Sequence, residues 1–188
     1  MKQGGSSKPR LRIARLADES LLSLGRADDS LAVRPPHWQA VAVRTLMEEL
    51  LATHTEQLTR LRVWVTLDVP QSEFVLADRQ LLSRALAQLL LNAAEAMPGG
   101  GGIEITSYKG IGHYEIEVAD NGQGLTDDAR HRAFEPQFTT KPGSAGLGLA
   151  LVQRVAQAHG GSVSAMNCPD GGAAFTLRLP SQSRQAAA

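Results

Sequence analysis

One cysteine, Cys168, is all the thiol chemistry in 188 residues, so an internal disulfide framework is excluded and a reducing compartment is expected. The side chain reads as a small half-buried residue beside a turn. Net charge is also lacking: 19 Lys and Arg balance 19 Asp and Glu, which excludes a dedicated polyanion binder and removes nucleic acid as an expected partner. Aromatic residues are only 4% of the chain, so any two that fall together call for a reason. No segment approaches the roughly 18 uninterrupted apolar residues of a membrane span. The amino end, MKQGGSSKPR, is basic with no apolar stretch behind it and does not read as a secretory signal. A soluble, cytoplasmic protein with no membrane contact by this segment is the expectation.

A hydrophobic fraction of 43% supports one packed domain without staples. The chain divides into residues 1–36, polar and Gly- and Ser-containing at first, then a main domain over 37–182, then a short tail, 183–188. Within the first part, Leu11 to Leu24 carries a helical pattern, and a polar linker reaches Pro35 and Pro36. The spacing of Val43, Leu46, Leu50, Leu51 and Leu58 predicts an amphipathic helix from Gln39 to about Leu61, and the alternation from Val63 to Leu67 a strand ended by Pro70. Asp78 is a natural N-cap for a second helix with a wide apolar stripe, Leu81, Leu82, Ala85, Leu86, Leu89, Leu90 and Ala93, stopped by Pro98 and the glycines 99–102. Runs at Ile103–Tyr108 and Tyr114–Val118 predict an antiparallel hairpin. A loop-rich stretch from Asp120 to Ala145 precedes a third helix, Leu147 to Ala158, capped by Gly160 and Gly161. Strands at Ser162–Met166 and Ala173–Leu179 complete the pattern. This order predicts an α/β two-layer sandwich, a mixed, mostly antiparallel sheet with helices on one face.

Four local features carry chemistry. Asn92 interrupts the apolar stripe of the second helix, where a buried amide needs a partner or costs about 1–3 kcal/mol. Taken alone it reads more readily as an Asn bonded to neighbouring backbone than as a ligand, and Glu95, one turn on, as a solvated acid. Asp120, with Gly122 and Gly124, follows a strand directly; a turn cap is the ordinary reading, recognition of an exocyclic amine beside close-approaching backbone the functional one. In AFEPQFTTK, Phe134 and Phe138 bracket Pro136, which suits either core packing or the anchoring of a hinged loop, and Lys141 is a surface cation or a phosphate contact. Finally GSAGLGL, from Gly143 to Leu149, opens a helix, where free N–H groups and the dipole favour an anion. Neither a P-loop nor a dinucleotide fingerprint is present, since no Gly-Lys-Ser/Thr follows and position 151 is Leu.

In this order the four features resemble the N, G1, F and G2 boxes of the ATP-binding catalytic domain of sensor histidine kinases, within the wider GHKL family that includes gyrase, Hsp90 and MutL. FEPQFTTKPGSAGLGLALVQRVAQAHGG is especially similar to kinases of the nitrogen-regulator type, and the resemblance covers about residues 37–180. It implies a Bergerat-type α/β sandwich that binds Mg-ATP between the second helix and a mobile lid of about residues 125–145. By motif position, Asn92 is implied as the magnesium ligand and, with Lys141, as part of the catalytic machinery. Glu95 lies near the metal's water shell, Asp120 reads the adenine amino group, and Gly122 and Gly124 border the base. Lys141 and the backbone of Gly146, Leu147 and Gly148 hold the phosphates, Thr140 and Gly143 belong to the nucleotide-binding set, and Phe134 and Phe138 anchor the lid.

The chain departs from the pattern at three points. Gln88 stands where such kinases carry Asn, Gln137 where an aromatic is usual, and Ala145 where Thr is usual. Gln88 can assist metal or phosphates as an amide but cannot deprotonate water, which argues against an ATP-hydrolysing clamp. None of His37, His54, His113, His131 and His159 lies in a His-Glu-x-x-x-Pro context, so the phosphoacceptor is expected on a separate dimerisation domain, with a response regulator downstream. Residues 11–30 suit the tail of that domain's hairpin. His159, just before the Gly160 cap, is expected to interact with the helix end. An alternative is a nucleotide-dependent interaction module like the anti-sigma factors of this fold. A third, a degenerate domain, is opposed by the intact Asn92, Asp120 and glycine pairs.

Overall fold

The computed structural model describes residues 31–141 and 143–181. The helical pattern at Leu11–Leu24 and the tail 183–188 lie outside them. From Val33 on, the described residues form one compact unit.

The elements run β1 (Gln39–Ala42), α1 (Val43–Arg60), β2 (Val63–Asp68), β3 (Phe74–Ala77), α2 (Arg79–Glu95), β4 (Gly101–Gly110), β5 (His113–Asp120), α3 (Asp127–Arg132), α4 (Gly148–Ala158), β6 (Ser162–Asn167) and β7 (Ala173–Pro180). Five strands form the main sheet in the order β2-β4-β5-β7-β6, with only the β2–β4 pair parallel. One face carries the core: Ile103 and Ile105 of β4, Tyr114, Ile116 and Val118 of β5, and Phe175, Leu177 and Leu179 of β7 are all buried. Against it lie α2, through Leu82, Leu86, Leu89 and Leu90, and α4, through Val152 and Val155. The other face is polar, with Glu104, Thr106, Glu115, Glu117 and Arg178 at least partly exposed. Period-two patterning thus dictates a one-sided sheet with helices gathered on its apolar face, as expected from the sequence.

Three local expectations need correction. Residues 39–42 are a strand, not the first turn of a helix: β1 pairs antiparallel with β3, a strand the sequence reading missed, as a separate two-stranded sheet. Ala40, Val41 and Ala42 suit either state, and pairing with the distant segment Phe74–Ala77 decides. The stretch expected to be loop after Asp120 holds α3, whose N-cap Thr126 accepts the Ala129 N–H at 3.1 Å. The hairpin strands are also longer, running through Gly101 to Gly110 and His113 to Asp120.

Two cap predictions match the structure. Asp78 Oδ1 accepts the Gln80 and Leu81 N–H groups, each at 3.0 Å, and so fixes where α2 begins. Gly160, at φ +72°, ends α4, and Gly161 N–H donates to the Ala156 carbonyl at 2.8 Å. Cys168 is half-buried in a turn closed by its N–H to the Gly172 carbonyl, 3.0 Å.

Candidate nucleotide site

Gln88, Asn92 and Glu95 are spaced four and three residues apart on α2 and therefore share one face, away from the stripe that packs on the sheet. That face meets the segment 139–148. Lys141 Nζ donates to Asn92 Oδ1 at 2.9 Å, to the Asn92 carbonyl at 3.3 Å and to Glu95 Oε2 at 2.9 Å. The Lys141 ammonium thus lies against α2. An amide oxygen and a carboxylate converging on one positive charge form a donor set that suits a hard cation. Among the described residues no three His, Cys, Asp or Glu side chains gather where they could hold a metal ion. The arrangement suits an ion held by one or two protein oxygens and completed by phosphates and water.

Asp120 closes β5 on the core side of the sheet and is only 4% exposed. Its Oδ1 accepts the Gly122 N–H at 2.9 Å and the Ala173 N–H at 3.4 Å. Oδ2 is buried and has no partner among the described residues. Burial pushes the carboxyl above its ordinary range, opposed by the two backbone donors and the charge of Lys141. An acceptor left unpaired inside a protein costs free energy and calls for an explanation; here it fits a ligand that brings an N–H donor, such as an exocyclic amine.

The glycines of this loop are demanded first by the protein itself. A Cβ on Gly122 would stand 2.8 Å from the Ala96 carbonyl oxygen, and one on Gly124 would meet Asn167 Oδ1 at 3.0 Å and the Gly172 carbonyl at 3.1 Å, at a φ of +75°. Asn167 also clamps Leu125, accepting its N–H at 2.7 Å and donating to its carbonyl at 2.9 Å. Neither Asn167 nor Gly172 stands out in the sequence. Asn167 carries no signal in a lone strand, while the Asp170-Gly171-Gly172 run was legible as a turn but not as a partner of Asp120.

The lid segment is knit to the glycine-rich turn. Gln137 N–H donates to the Gly146 carbonyl at 3.0 Å, both residues hold positive φ, +67° and +66°, and a Cβ on Gly146 would lie 2.6 Å from the Gln137 carbonyl carbon. Phe134 stands edge-on to the buried Phe175, centroids 6.3 Å apart, and the Arg132 guanidinium lies 4.5 Å from the Phe138 ring centre. Arg132, a further unpredicted participant, also reaches Glu135 and Asp128. Leu147 precedes α4 without a side-chain cap hydrogen bond, so the first turn of that helix has no side-chain acceptor at the cap. A Cβ on Gly148 would fall 2.4 Å from Gln88 Oε1, which places α2 and the start of α4 in contact at this point. Gly143 and Thr140 are exposed.

Residues 77–183, which include every residue of this site, match the family of histidine kinase-, DNA gyrase B- and HSP90-like ATPases. The chain belongs to that family. Its relatives include the sensor-like histidine kinase SenX3 of Mycolicibacterium smegmatis, 36% identical over 174 residues, which is 88% of this chain and 45% of SenX3. The chain thus spans less than half the length of that relative. The nucleotide-free catalytic domain of histidine kinase ThkA superposes with a TM-score of 0.70 at 25% identity, covering 77% of this chain and 96% of that domain. Full-length ShkA in complex with AMPPNP gives a TM-score of 0.72 at 27% identity over 84% of this chain and 34% of ShkA. The likeness is therefore to the ATP-binding catalytic part of sensor histidine kinases, and the mostly antiparallel five-stranded sheet with its helices is the fold of that part. Among the described residues no helix is long and apolar enough to cross a membrane.

Proposed function

We propose that residues 37–182 are the catalytic domain of a two-component sensor histidine kinase, which binds Mg-ATP between α2 and the lid of about residues 125–145 and delivers the γ-phosphoryl to a histidine on a separate dimerisation domain. A response regulator would take the phosphoryl onward, and a cytoplasmic location follows from the need for ATP. The observation that carries this reading is the buried, unpartnered Asp120 Oδ2. A carboxylate oxygen with a free lone pair, fixed through Oδ1 by two backbone donors, selects a purine bearing an amino group over one bearing a carbonyl there.

In this reading Gly122 and Gly124 shape the loop beside the base, Phe134 holds the lid to the domain through Phe175, and Phe138 packs against Arg132 within the lid. The N–H groups of Leu147 and Gly148, with that of Gly146, which here donates to Ser144 Oγ at 3.3 Å, would meet the phosphates at the start of α4, with Thr140, Lys141 and Gly143 nearby along the chain. Gln88 braces the two helices and offers an amide to the phosphates. Asn92 Oδ1 would hold Mg2+, with Glu95 close to its hydration shell. When bound, the ion would neutralise phosphate charge. The chain's own groups do the remaining work by positioning and by fixed dipoles, with no proton abstraction required of Gln88.

The SenX3 and ShkA likenesses favour this reading over the nucleotide-dependent interaction module. Its test is to incubate the protein with labelled ATP, Mg2+ and the phosphoacceptor hairpin of a sensor kinase. Label on the hairpin's histidine is the expected result; tight nucleotide binding without transfer would return the interaction module.

A further inference from the structure

We propose that Lys141 is the resident cation of the Asn92–Glu95 pair and that a divalent ion gains these oxygens only by expelling it, so that metal loading releases the 139–141 strap. The inference rests on the reading of α2 as the metal-bearing wall of a nucleotide site, and it adds a regulatory contact to that wall. An ammonium has three protons and no acceptor, and here three oxygens, Asn92 Oδ1, the Asn92 carbonyl and Glu95 Oε2, receive it within 3.3 Å. A small divalent ion needs oxygen contacts of about 2.0–2.1 Å. It cannot share Asn92 Oδ1 with an ammonium 2.9 Å away without strong like-charge repulsion.

The strap is arranged to deliver and withdraw this one group. Lys141 N–H donates to Thr139 Oγ1 at 3.0 Å, and the Ser144 N–H donates to the Lys141 carbonyl at 3.3 Å, so a compact local turn carries the side chain across to α2. Among the described residues, no other ion pair ties residues 139–141 to α2. Breaking the Lys141 contact therefore frees the strap on that side, and the released ammonium is then available to the phosphates that arrive with the metal.

The experiment follows Mn2+ binding without nucleotide, by the electron-spin signal of the free ion, in the wild-type chain and in Lys141→Met. Because the turn's backbone bonds do not use the Lys141 side chain, the variant should keep its fold, checked by circular dichroism. Removing the competitor should tighten Mn2+ binding by at least about threefold. In the wild-type chain, acetylation of Lys141 by a small amine-reactive ester, read by mass spectrometry, should rise as Mn2+ is added. Glu95→Gln should raise that acetylation before any metal is present. Equal or weaker Mn2+ binding by Lys141→Met, or Lys141 acetylation indifferent to Mn2+, would overturn the latch. A fluorescent ATP analogue titrated into the wild-type chain separates the two levels. Nucleotide bound alongside either of those two failures overturns the latch alone, whereas no nucleotide bound overturns the reading of the site.

Discussion

The backbone N–H of Asp78 donates to His159 Nε2 at 2.9 Å, across 81 residues, and joins the start of α2 to the end of α4. His159 is 2% exposed, and its Nδ1 lies 2.7 Å from the Val155 carbonyl. Together the two bonds fix the neutral tautomer with the proton on Nδ1. The Asp78 carboxylate meanwhile caps α2 and receives the segment that enters the domain, through the His37 N–H at 2.8 Å and Arg34 at 2.7 Å. Trp38 packs its ring edgewise on His159, centroids 5.2 Å apart. Both helices that build the site are thus anchored, at the ends remote from it, to one buried pair.

Replacing His159 by Ala should strand the Asp78 N–H and leave a hole beside Trp38, at a cost of about 2–4 kcal/mol in urea unfolding. Asp78 supplies the pH dependence. Burial alone would raise its carboxyl, but the Leu81 and His37 N–H groups and the Arg34 guanidinium hold it down at about 2. A carboxyl depressed in the folded state contributes stability above its unfolded value, near 4, and loses that contribution as pH falls toward 2. Asp78→Asn should therefore flatten the acid limb of the stability curve between about pH 4 and pH 2; an unchanged limb would mean the clasp does not carry this charge.

Asp120 has the opposite sign. Burial raises its carboxyl in the folded state, so the ionised form costs stability at neutral pH, and that cost disappears as pH falls below the group's unfolded value. Asp120→Asn should melt at or above the wild-type temperature at pH 7 while adenine-nucleotide affinity falls by at least about tenfold, or 1.4 kcal/mol. Loss of stability together with affinity would assign Asp120 to the fold instead of the site. Thermal shift and calorimetry on the same preparation decide.

The same carboxylate shows how far the sequence can be read. Asp120 at a strand end, Asp78 before an apolar stripe and the glycines before α4 were legible because each is a local rule, a cap or a turn with its own residue preference. What stayed hidden depends on partners far along the chain. Residues 39–42 became a strand because Phe74–Ala77 pair with them, and Asn167 matters only because β6 lies beside the 124–125 turn. Lys141 was legible as a cation of the site. Its contact with Asn92 and Glu95, 49 and 46 residues away, follows from how the strap crosses α2, which no local pattern encodes.

Tyr114 is fully buried on β5, and its hydroxyl donates to Glu73 Oε2 at 2.6 Å; Ser107 Oγ donates to the same oxygen at 2.8 Å. Burial first, then the Glu73 carboxylate, raise the phenol well above its ordinary value. A phenol raised in the folded state contributes stability that is present below its unfolded value, near 10, and fades as pH climbs past it. Tyr114→Phe should cost about 1–2 kcal/mol at pH 7 and less as pH is raised beyond 10, measured by denaturant titration at each pH. A constant difference across that range would mean that the phenol's ionisation does not contribute.

Gly172 holds φ at +87°, and a Cβ there would stand 1.8 Å from the Asp120 carbonyl oxygen and 2.8 Å from Asn121 Cα. Both obstacles are backbone, so nothing flexible can move aside. Gly148 differs: its Cβ would meet only the end of the Gln88 side chain, at 2.4 Å, and that amide can swing away. Gly172→Ala should therefore destabilise by more than about 2 kcal/mol through strain and displacement of the Asp120 loop. Gly148→Ala should keep most of the stability, since alanine is the better helix former, while weakening nucleotide binding by moving Gln88 and crowding the start of α4. Chemical denaturation and nucleotide titration of the two variants side by side should give opposite orders of damage, because one glycine is required by the chain's own backbone and the other by what approaches it.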